Sequence, residues 1–301
     1  MVIVSVRPFI ERSESEGLSL GEIMIRHEME IQEAPRKSVM DAMEKVWNVM
    51  VESIKEGVKI TERSKSGMSG GDAHKILSSI KEREPFVGSL MLQATARAIA
   101  VGEYNSSMGI VVAAPTAGAS GVLPAVVYTI AEKLKATKEQ IIKALFCSSL
   151  IGLVCDAKAS TSGSEHGCQA EIGVAAAMAA SAVVEIAGGT AKQAVNASAL
   201  ILKNLLGLAC DPVAGLVEVP CIKRNGLVAA ETIVAAEMAL AGVESVIPFD
   251  DVVSAMDEIG RMMPCEIKET SEGGLANTKT GLGYKLWLRR TATRQLEKEL
   301  D

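Results

Sequence analysis

The chain has 301 residues, of which 48% are hydrophobic, 23% are charged and 3% are aromatic. With 31 basic and 37 acidic residues, its net charge is −6. This composition excludes a nucleic-acid-binding surface, which needs clustered Lys and Arg and usually stacking aromatic residues.

The mean hydropathy of +0.24 raises the question of membrane insertion. The longest uncharged apolar stretches, 144–155 and 172–184, are shorter than the roughly 18–20 residues that span a bilayer. We therefore predict buried core helices and no membrane partner. Arg7 and Pro8 come too early for the apolar region of a signal peptide. The predicted location is cytoplasmic, where thiols stay reduced.

Apolar periodicity and capping signals predict about ten helices and no run of alternating strand formers. Capping boxes are predicted at Ser19 with Glu22, at Thr137 with Gln140, and at Thr190 with Gln193. The predicted helices are 18–33, 39–57, a short one capped by Asp72, 86–101, 122–135, one carrying Cys147 and Cys155, an Ala-rich one ending at Gly188, 191–206, 227–241 and 249–262.

This pattern predicts an all-α fold, a multi-helix single-domain bundle whose loops converge on one site. Residues 1–17 are predicted as an N-terminal segment that includes at most one short strand, and residues 18–301 as the helical catalytic domain. Three loops, 61–71, 103–121 and 268–281, are polar and rich in small residues. Such loops allow a ligand or a neighbouring helix to approach the backbone closely, or they simply connect helices.

Cys168, Cys210 and Cys221 form a C-x41-C-x10-C arrangement in which each thiol has Gly, Pro, Ser or Asp beside it. These neighbours predict loops or helix ends, where backbone N–H groups lower a thiol pKa and favour metal binding. The short C-x2-C spacings of zinc fingers and ferredoxins are absent. The spacing alone leaves open a metal site and three structural thiols. Cys147 and Cys155 have apolar neighbours and are predicted to be core thiols.

Among the three histidines, only His166 is next to one of these cysteines in the sequence. His166 or the neighbouring Glu165 is a candidate general base, although either residue could instead hydrogen-bond the loop that carries Cys168. No GxGxxG, Walker A or GxSxG motif occurs.

Four stretches closely resemble the α chain of the bacterial iron–sulfur-dependent L-serine dehydratases: SSMGIVVAAPTAGASGVLPAVV, GCQAEIGVAAAMAASA, LGLACDPVAGLVEVPCIKRN and KETSEGGLA. The resemblance extends over nearly the whole chain from about residue 18. It implies that Cys168, Cys210 and Cys221 hold a [4Fe–4S] cluster with one iron open, and that pyridoxal phosphate is not needed.

The resemblance also implies the reaction. The open iron acts as a Lewis acid on the hydroxyl of L-serine, a base removes the α-proton, and water leaves. The resulting aminoacrylate becomes an imine that hydrolyses to pyruvate and ammonia. We predict that the small-residue loops bind the substrate carboxylate. The candidate residues are Ser69, Gly70, Gly71, Thr116, Gly118, Ser120, Gly273 and Gly274.

Two departures from the family pattern affect these expectations. Single-chain relatives carry a further domain with an SSSHTAG-like motif, so the resemblance implies a separate β subunit that supplies this domain. Some relatives end in a cysteine that occupies the open iron, whereas this chain ends LEKELD. Cys265 is either a passive thiol or a late fourth ligand. The alternative functions are L-cysteine desulfidation on a similar cluster and a non-enzymatic iron–sulfur sensor.

Overall fold

The computed structural model describes residues 2–300, and helices dominate this range. The predicted all-α fold is confirmed: residues 2–300 contain 13 α-helices and no strand, only an isolated bridge between Cys210 and Lys268. The helices are α1 Arg7–Glu16, α2 Leu20–Gln32, α3 Arg36–Gly57, α4 Asp72–Glu82, α5 Gly88–Ser106, α6 Val122–Leu134, α7 Lys138–Lys158, α8 Gly163–His166, α9 Val174–Ile186, α10 Ala191–Asn204, α11 Cys221–Leu240, α12 Phe249–Met262 and α13 Lys279–Leu300.

The Ala-rich helix α9 lies at the centre of the core. It packs against α6, α7, α10 and α11, and nearly all of its residues are buried. Its many alanines have short side chains, so the surrounding helices approach its backbone closely without leaving voids. This central helix fixes the position of the short segment just before it, which carries Cys168.

Two helical segments are long and apolar enough to cross a membrane by length and composition, α7 and Gln169–Ile186. The protein itself covers 94% of the apolar window in Gln169–Ile186 and more than half of the window in α7. The two helices also pack against each other. Both are therefore core helices of this bundle, as the sequence predicts.

Two of the predicted capping boxes are complete. The Thr137 hydroxyl accepts a hydrogen bond from the Gln140 N–H at 3.3 Å, and the Gln140 side chain accepts one from the Thr137 N–H at 2.8 Å. Thr190 and Gln193 form the same pair of bonds at 3.2 and 2.9 Å. Reciprocal bonds of this kind satisfy N–H groups that the first helical turn leaves unpaired.

At the third predicted box, Ser19 accepts a hydrogen bond from the Glu22 N–H at 3.3 Å. The Glu22 carboxylate does not complete the box, because it forms an ion pair with Arg36 at 2.6 Å. Arg36 of α3 therefore takes the place of the Ser19 backbone N–H as the partner of the Glu22 carboxylate.

The short strand that the sequence allowed in residues 1–17 does not form in the described part of this segment. Residues 7–16 form α1 instead, with Pro8 in the first turn, where its fixed φ and missing N–H favour a helix start. Val6 is buried in the main core, and the Ser5 hydroxyl donates to Asp250 of α12 at 2.5 Å. The N-terminal residues are thus held to the bundle through α12.

The start of α4 also differs from the prediction, because Asp72 does not cap it. The carboxylate of Glu103, from α5, accepts the Asp72 N–H at 2.7 Å and contacts the Ala73 N–H at 3.4 Å. Glu103 is completely buried. Its negative charge at the positive end of α4 supplies the cap from a distant part of the chain.

Candidate metal centre

Cys168, Cys210 and Cys221 come from three segments and are all buried. Cys168 follows α8 and directly precedes the π-helical turn Gln169–Gly173 that leads into α9. Cys210 lies in the connection between α10 and α11. Cys221 is the first residue of α11, six residues earlier than the helix start predicted from the sequence.

Backbone hydrogen bonds fix the Cys168 and Cys210 segments. The Gln169 N–H donates to the Leu208 carbonyl at 3.2 Å, and the Gln169 side chain accepts the Gly207 N–H at 2.9 Å. These two bonds place Cys168 beside the chain that approaches Cys210. The Cys210 N–H in turn donates to the Ile267 carbonyl at 2.9 Å.

Asn225, one turn into α11, connects Cys221 to the loop 116–121. Its side-chain amide donates to the carbonyls of Cys221, at 2.9 Å, and Gly118, at 2.7 Å. Its side-chain oxygen accepts the Gly121 N–H at 3.0 Å. Asn225 is buried, so these bonds form away from competing water. The loop is thereby held against the helix turn that presents Cys221.

The three thiols lie near one another. A negative charge on Cys168 raises the pKa of Cys210 and Cys221, and one on Cys221 raises the pKa of Cys210. Burial is the main cause of the shifts, and it raises the pKa of Cys168 to about 11 and that of Cys221 to about 12. The predicted lowering of the thiol pKa is therefore wrong. Binding a metal must displace these protons.

Glu171 is a site residue that the sequence analysis did not identify. Its carboxylate accepts a hydrogen bond from the Thr116 hydroxyl at 2.6 Å and lies 3.6 Å from the Sγ of Cys210. Its negative charge raises the pKa of Cys168, Cys210 and Cys221. Burial raises the pKa of Glu171 itself. The available signal was the C-x-x-E spacing from Cys168, which places both side chains on one helical face.

Arg224, also in the first turn of α11, supplies positive charge to the site. Its guanidinium donates to the Ala209 carbonyl at 2.7 Å and to the Asp211 carboxylate at 3.0 Å. The same charge opposes the increase in the pKa of Cys168 and Cys221. Arg224 therefore both holds the segment around Cys210 and partly offsets the charge of thiolates.

The three cysteines supply the donor type of an iron–sulfur cluster, and the described residues offer no site for a single metal ion. Within the described part of the chain, no three His, Cys, Asp or Glu side chains are arranged to hold one metal ion. In an iron–sulfur cluster each cysteine binds a different iron, so its ligand sulfurs lie farther apart than those around one ion. The three buried thiols come from separate segments and are donors of the type that such clusters use.

The two candidate bases occupy different environments. Glu165 is exposed to solvent. His166 is buried, and its Nε2 lies 2.8 Å from the Asp257 carboxylate of α12. The His166 ring occupies the space that Gly260 leaves by having no side chain. Its Nδ1 is buried without a hydrogen-bond partner among the described residues.

Two of the three predicted substrate-binding loops contact the cysteine segments directly. Thr116 bonds Glu171, and a Cβ at Gly118 would lie 3.3 Å from the Glu171 carboxylate. The Ser120 hydroxyl, in the same loop, is buried without a hydrogen-bond partner in the described part of the chain. Gly274 packs directly on the Asp211 side chain, next to Cys210, whereas Gly273 packs on Glu266.

The third loop reaches the site through Glu218, which lies three residues before Cys221 in the sequence. The hydroxyls of Ser64, at 2.6 Å, and Ser69 donate to the buried Glu218 carboxylate. Gly70 and Gly71 have positive φ and pack on the backbone of residues 61–63, where a Cβ would clash. These glycines allow the loop to fold back on itself.

Cys265 is exposed, unlike the three buried thiols. Its Sγ is 3.6 Å from the carboxylate of the adjacent Glu266. It is not among the charged groups that shift the pKa of Cys168, Cys210 or Cys221.

Comparison with known proteins gives a consistent result. The family model described as serine dehydratase alpha chain matches residues 15–276. The chain is 44% identical over 277 residues to the probable L-serine dehydratase alpha chain of Bacillus subtilis, covering 92% of each chain. It is 38% identical to the L-serine dehydratase alpha chain of Peptoniphilus asaccharolyticus, covering 92% of this chain and 95% of that one.

A third relative is longer. The L-serine dehydratase of Streptomyces coelicolor is 36% identical over 267 residues, which are 86% of this chain but only 57% of that protein. The similarity to this relative is thus confined to part of its length.

Proposed function

Because the chain belongs to the serine dehydratase alpha chain family, we propose that it is the α chain of an iron–sulfur-dependent L-serine dehydratase. The reaction converts L-serine to pyruvate and ammonia. The observation that carries the proposal is the convergence of three buried thiols from separate segments, with Arg224 beside them. We place the reaction in the cytoplasm, where these thiols stay reduced.

Cys168, Cys210 and Cys221 would hold a [4Fe–4S] cluster through three thiolates. When bound, the cluster supplies a Lewis acid for the serine hydroxyl, which is otherwise a poor leaving group. Arg224 offsets part of the thiolate charge. Its bonds to Ala209 and Asp211 hold the segment of Cys210 against the start of α11, which carries Cys221. Burial of all three thiols excludes water and strengthens electrostatic contacts to the substrate.

The loop 116–121 is the preferred place for the substrate carboxylate. Asn225 holds this loop beside Cys221, and Gly118 leaves space near Glu171. The Ser120 hydroxyl, in the same loop, has no hydrogen-bond partner among the described residues and can donate to a ligand. A buried donor without a partner costs free energy, which a bound carboxylate would recover.

A separate β chain is proposed to supply the general base. Removal of the α-proton requires a base within hydrogen-bond reach of it. In this chain Glu165 is exposed, and Asp257 holds His166 through Nε2, which leaves the buried Nδ1 of His166 as the alternative base among the described residues. An SSSHTAG-like loop of the β chain would place a histidine over the site and close it from solvent.

Assays of the anaerobically reconstituted chain, with and without the candidate β chain, test this function. We expect pyruvate from L-serine only when both chains are present. Sulfide from L-cysteine as the main product would instead identify a desulfidase. If neither product forms with an intact cluster and both chains, the serine dehydratase assignment is wrong and a sensor role replaces it.

A further inference from the structure

The Glu171 carboxylate lies against the loop 116–121, which we assign to the substrate carboxylate. The Thr116 hydroxyl donates to its Oε1 at 2.6 Å, and a Cβ at Gly118 would lie 3.3 Å from the same oxygen. In an α-amino acid the ammonium nitrogen and the carboxylate carbon are bonded to one carbon atom and lie about 2.5 Å apart. A substrate carboxylate on this loop therefore brings the ammonium group close to Glu171.

Glu171 forms no ion pair with a Lys, Arg or His among the described residues. The two cations in the first turn of α11 are engaged elsewhere: Lys223 pairs with Asp72 at 2.6 Å, and Arg224 pairs with Asp211 at 3.0 Å. Burial raises the pKa of Glu171, because its charged form is partly withdrawn from water. A buried carboxylate is costly unless it is paired, so a positively charged group of a ligand would be stabilised at this position.

The second hydrogen bond of Glu171 depends on a thiol proton. Its Oε2 accepts a bond from the Cys210 thiol at 3.6 Å, so the two groups meet at one position. Gly163 allows this close approach, because a Cβ there would lie 2.5 Å from Oε2 and 3.0 Å from the Cys210 Sγ. As a ligand of the proposed cluster, Cys210 is a thiolate and has no proton to donate. Oε2 then needs another donor.

We propose that Glu171 binds the α-ammonium group of L-serine and thereby selects α-amino acids as substrates. The ammonium group has three N–H donors and a positive charge, so it satisfies Oε2 and neutralises the carboxylate. Thr116 keeps its bond to Oε1 and orients the carboxylate. The loop 116–121 and Glu171 then recognise the two opposite charges of one amino acid. This inference rests on the proposed function, because L-serine is the substrate of that reaction.

The test compares L-serine with 3-hydroxypropanoate, which has the same carboxylate and hydroxyl but a hydrogen in place of the ammonium group. The anaerobically reconstituted complex of both chains is assayed for the KM of L-serine and for inhibition by 3-hydroxypropanoate. Glu171→Gln keeps the size and one acceptor oxygen but loses the charge. We expect it to raise the KM of L-serine about tenfold to a hundredfold, because a hydrogen bond between two charged groups is lost. The inhibition constant of 3-hydroxypropanoate should stay nearly unchanged.

Calorimetric titration of the same complexes gives a readout that does not depend on turnover. L-Alanine has the ammonium and carboxylate groups but no hydroxyl to eliminate, and propanoate lacks the ammonium group as well. Glu171→Gln should weaken the binding of L-alanine and leave that of propanoate unchanged. Glu269→Gln is the matched control, because it removes an exposed negative charge that acts on Glu171. It should give the wild-type constants for all four ligands.

An equal rise in the constants of L-serine and 3-hydroxypropanoate in Glu171→Gln, or no rise in either, would overturn the inference. If Glu171→Gln takes up no iron, Glu171→Asp decides, since it keeps the charge but is one methylene shorter, and it should weaken L-serine binding selectively. Failure of both variants to take up iron would overturn the inference as well, because Glu171 would then serve the cluster. A wild-type complex that forms pyruvate but binds 3-hydroxypropanoate as tightly as L-serine would overturn this inference alone, whereas no pyruvate from the loaded wild type would overturn the proposed function.

Discussion

The Arg224 guanidinium donates to the Asp211 carboxylate at 3.0 Å and so joins the first turn of α11 to the segment that carries Cys210. Asp211 is buried and also accepts the Leu275 N–H at 2.8 Å. One ion pair therefore connects two cysteine segments and the loop after α12. The geometry of the proposed cluster ligands depends on this pair.

Arg224→Ala is expected to lower the free energy of unfolding by about 2–3 kcal/mol, because it leaves the Asp211 carboxylate buried without its charged donor. The iron content after anaerobic dialysis should fall as well. Arg224→Lys keeps the charge but lacks the two guanidinium nitrogens that donate to Ala209 and Asp211. Its losses of unfolding free energy and of iron should therefore be intermediate. Denaturant titration and iron analysis measure both effects. Wild-type iron retention in Arg224→Ala would contradict the proposed role.

Cys147 and Cys155 should matter for stability and not for the cluster. Both are completely buried in α7, and burial raises the pKa of both thiols strongly. Replacing either with Ala should lower the free energy of unfolding by about 1–2 kcal/mol and leave the iron content unchanged. Loss of iron from Cys147→Ala at an unchanged circular dichroism spectrum would show that this thiol belongs to the metal centre.

Gly118→Val should raise the KM for L-serine at least tenfold, or abolish turnover, while the cluster absorbance persists. The added side chain would meet Val217 and Glu171, at 3.2 and 3.3 Å from its Cβ. Gly283→Val is a suitable control, because a Cβ at Gly283 in α13 meets no atom within 4 Å. Normal serine kinetics in Gly118→Val would show that the loop 116–121 does not bind the substrate.

Glu103 should make stability depend on pH in a defined direction. Burial raises its pKa above the usual 4.5, so the folded state holds this proton more tightly than the unfolded state does. The corresponding stabilisation is complete below about pH 4.5 and is lost as the pH rises through the higher folded-state pKa. As the pH rises through that range, the unfolding free energy of the wild type should therefore fall relative to that of Glu103→Gln.

The exposed Glu258 supplies the control for this pH experiment. Glu258→Gln should follow the wild-type stability curve at each pH. A wild-type minus Glu103→Gln difference that stays constant between pH 4 and pH 7 would contradict the account of Glu103.

Local signals in the sequence were sufficient for part of this fold. The reciprocal bonds of Thr137 with Gln140 form within one helical turn, so the sequence alone predicts them. The helix α11 starts at Cys221 and not at residue 227, as was predicted. In the structure Gly226 lies inside the helix, where its missing side chain lets Ile99 of α5 approach. Such a packing reason is not visible in the sequence.

The same limit applies to the candidate site. The family resemblance assigned Cys168, Cys210 and Cys221, which the fold brings into one buried region. The C-x-x-E spacing from Cys168 did not by itself select Glu171, because its contacts with Thr116 and Cys210 join residues that are distant in sequence. The direction of the thiol pKa shifts was also wrong, since helix-end arguments ignore burial, which is the larger effect here.

The measurement that tests the central claim most directly is the iron and acid-labile sulfide content of the anaerobically reconstituted wild-type chain and of Cys210→Ser. We predict about four irons and four sulfides per wild-type chain, as a [4Fe–4S] cluster requires. Cys210→Ser should lose the cluster, because a hard serine oxygen replaces a soft thiolate poorly. A full complement of iron in Cys210→Ser, or none in the wild type, would contradict the account.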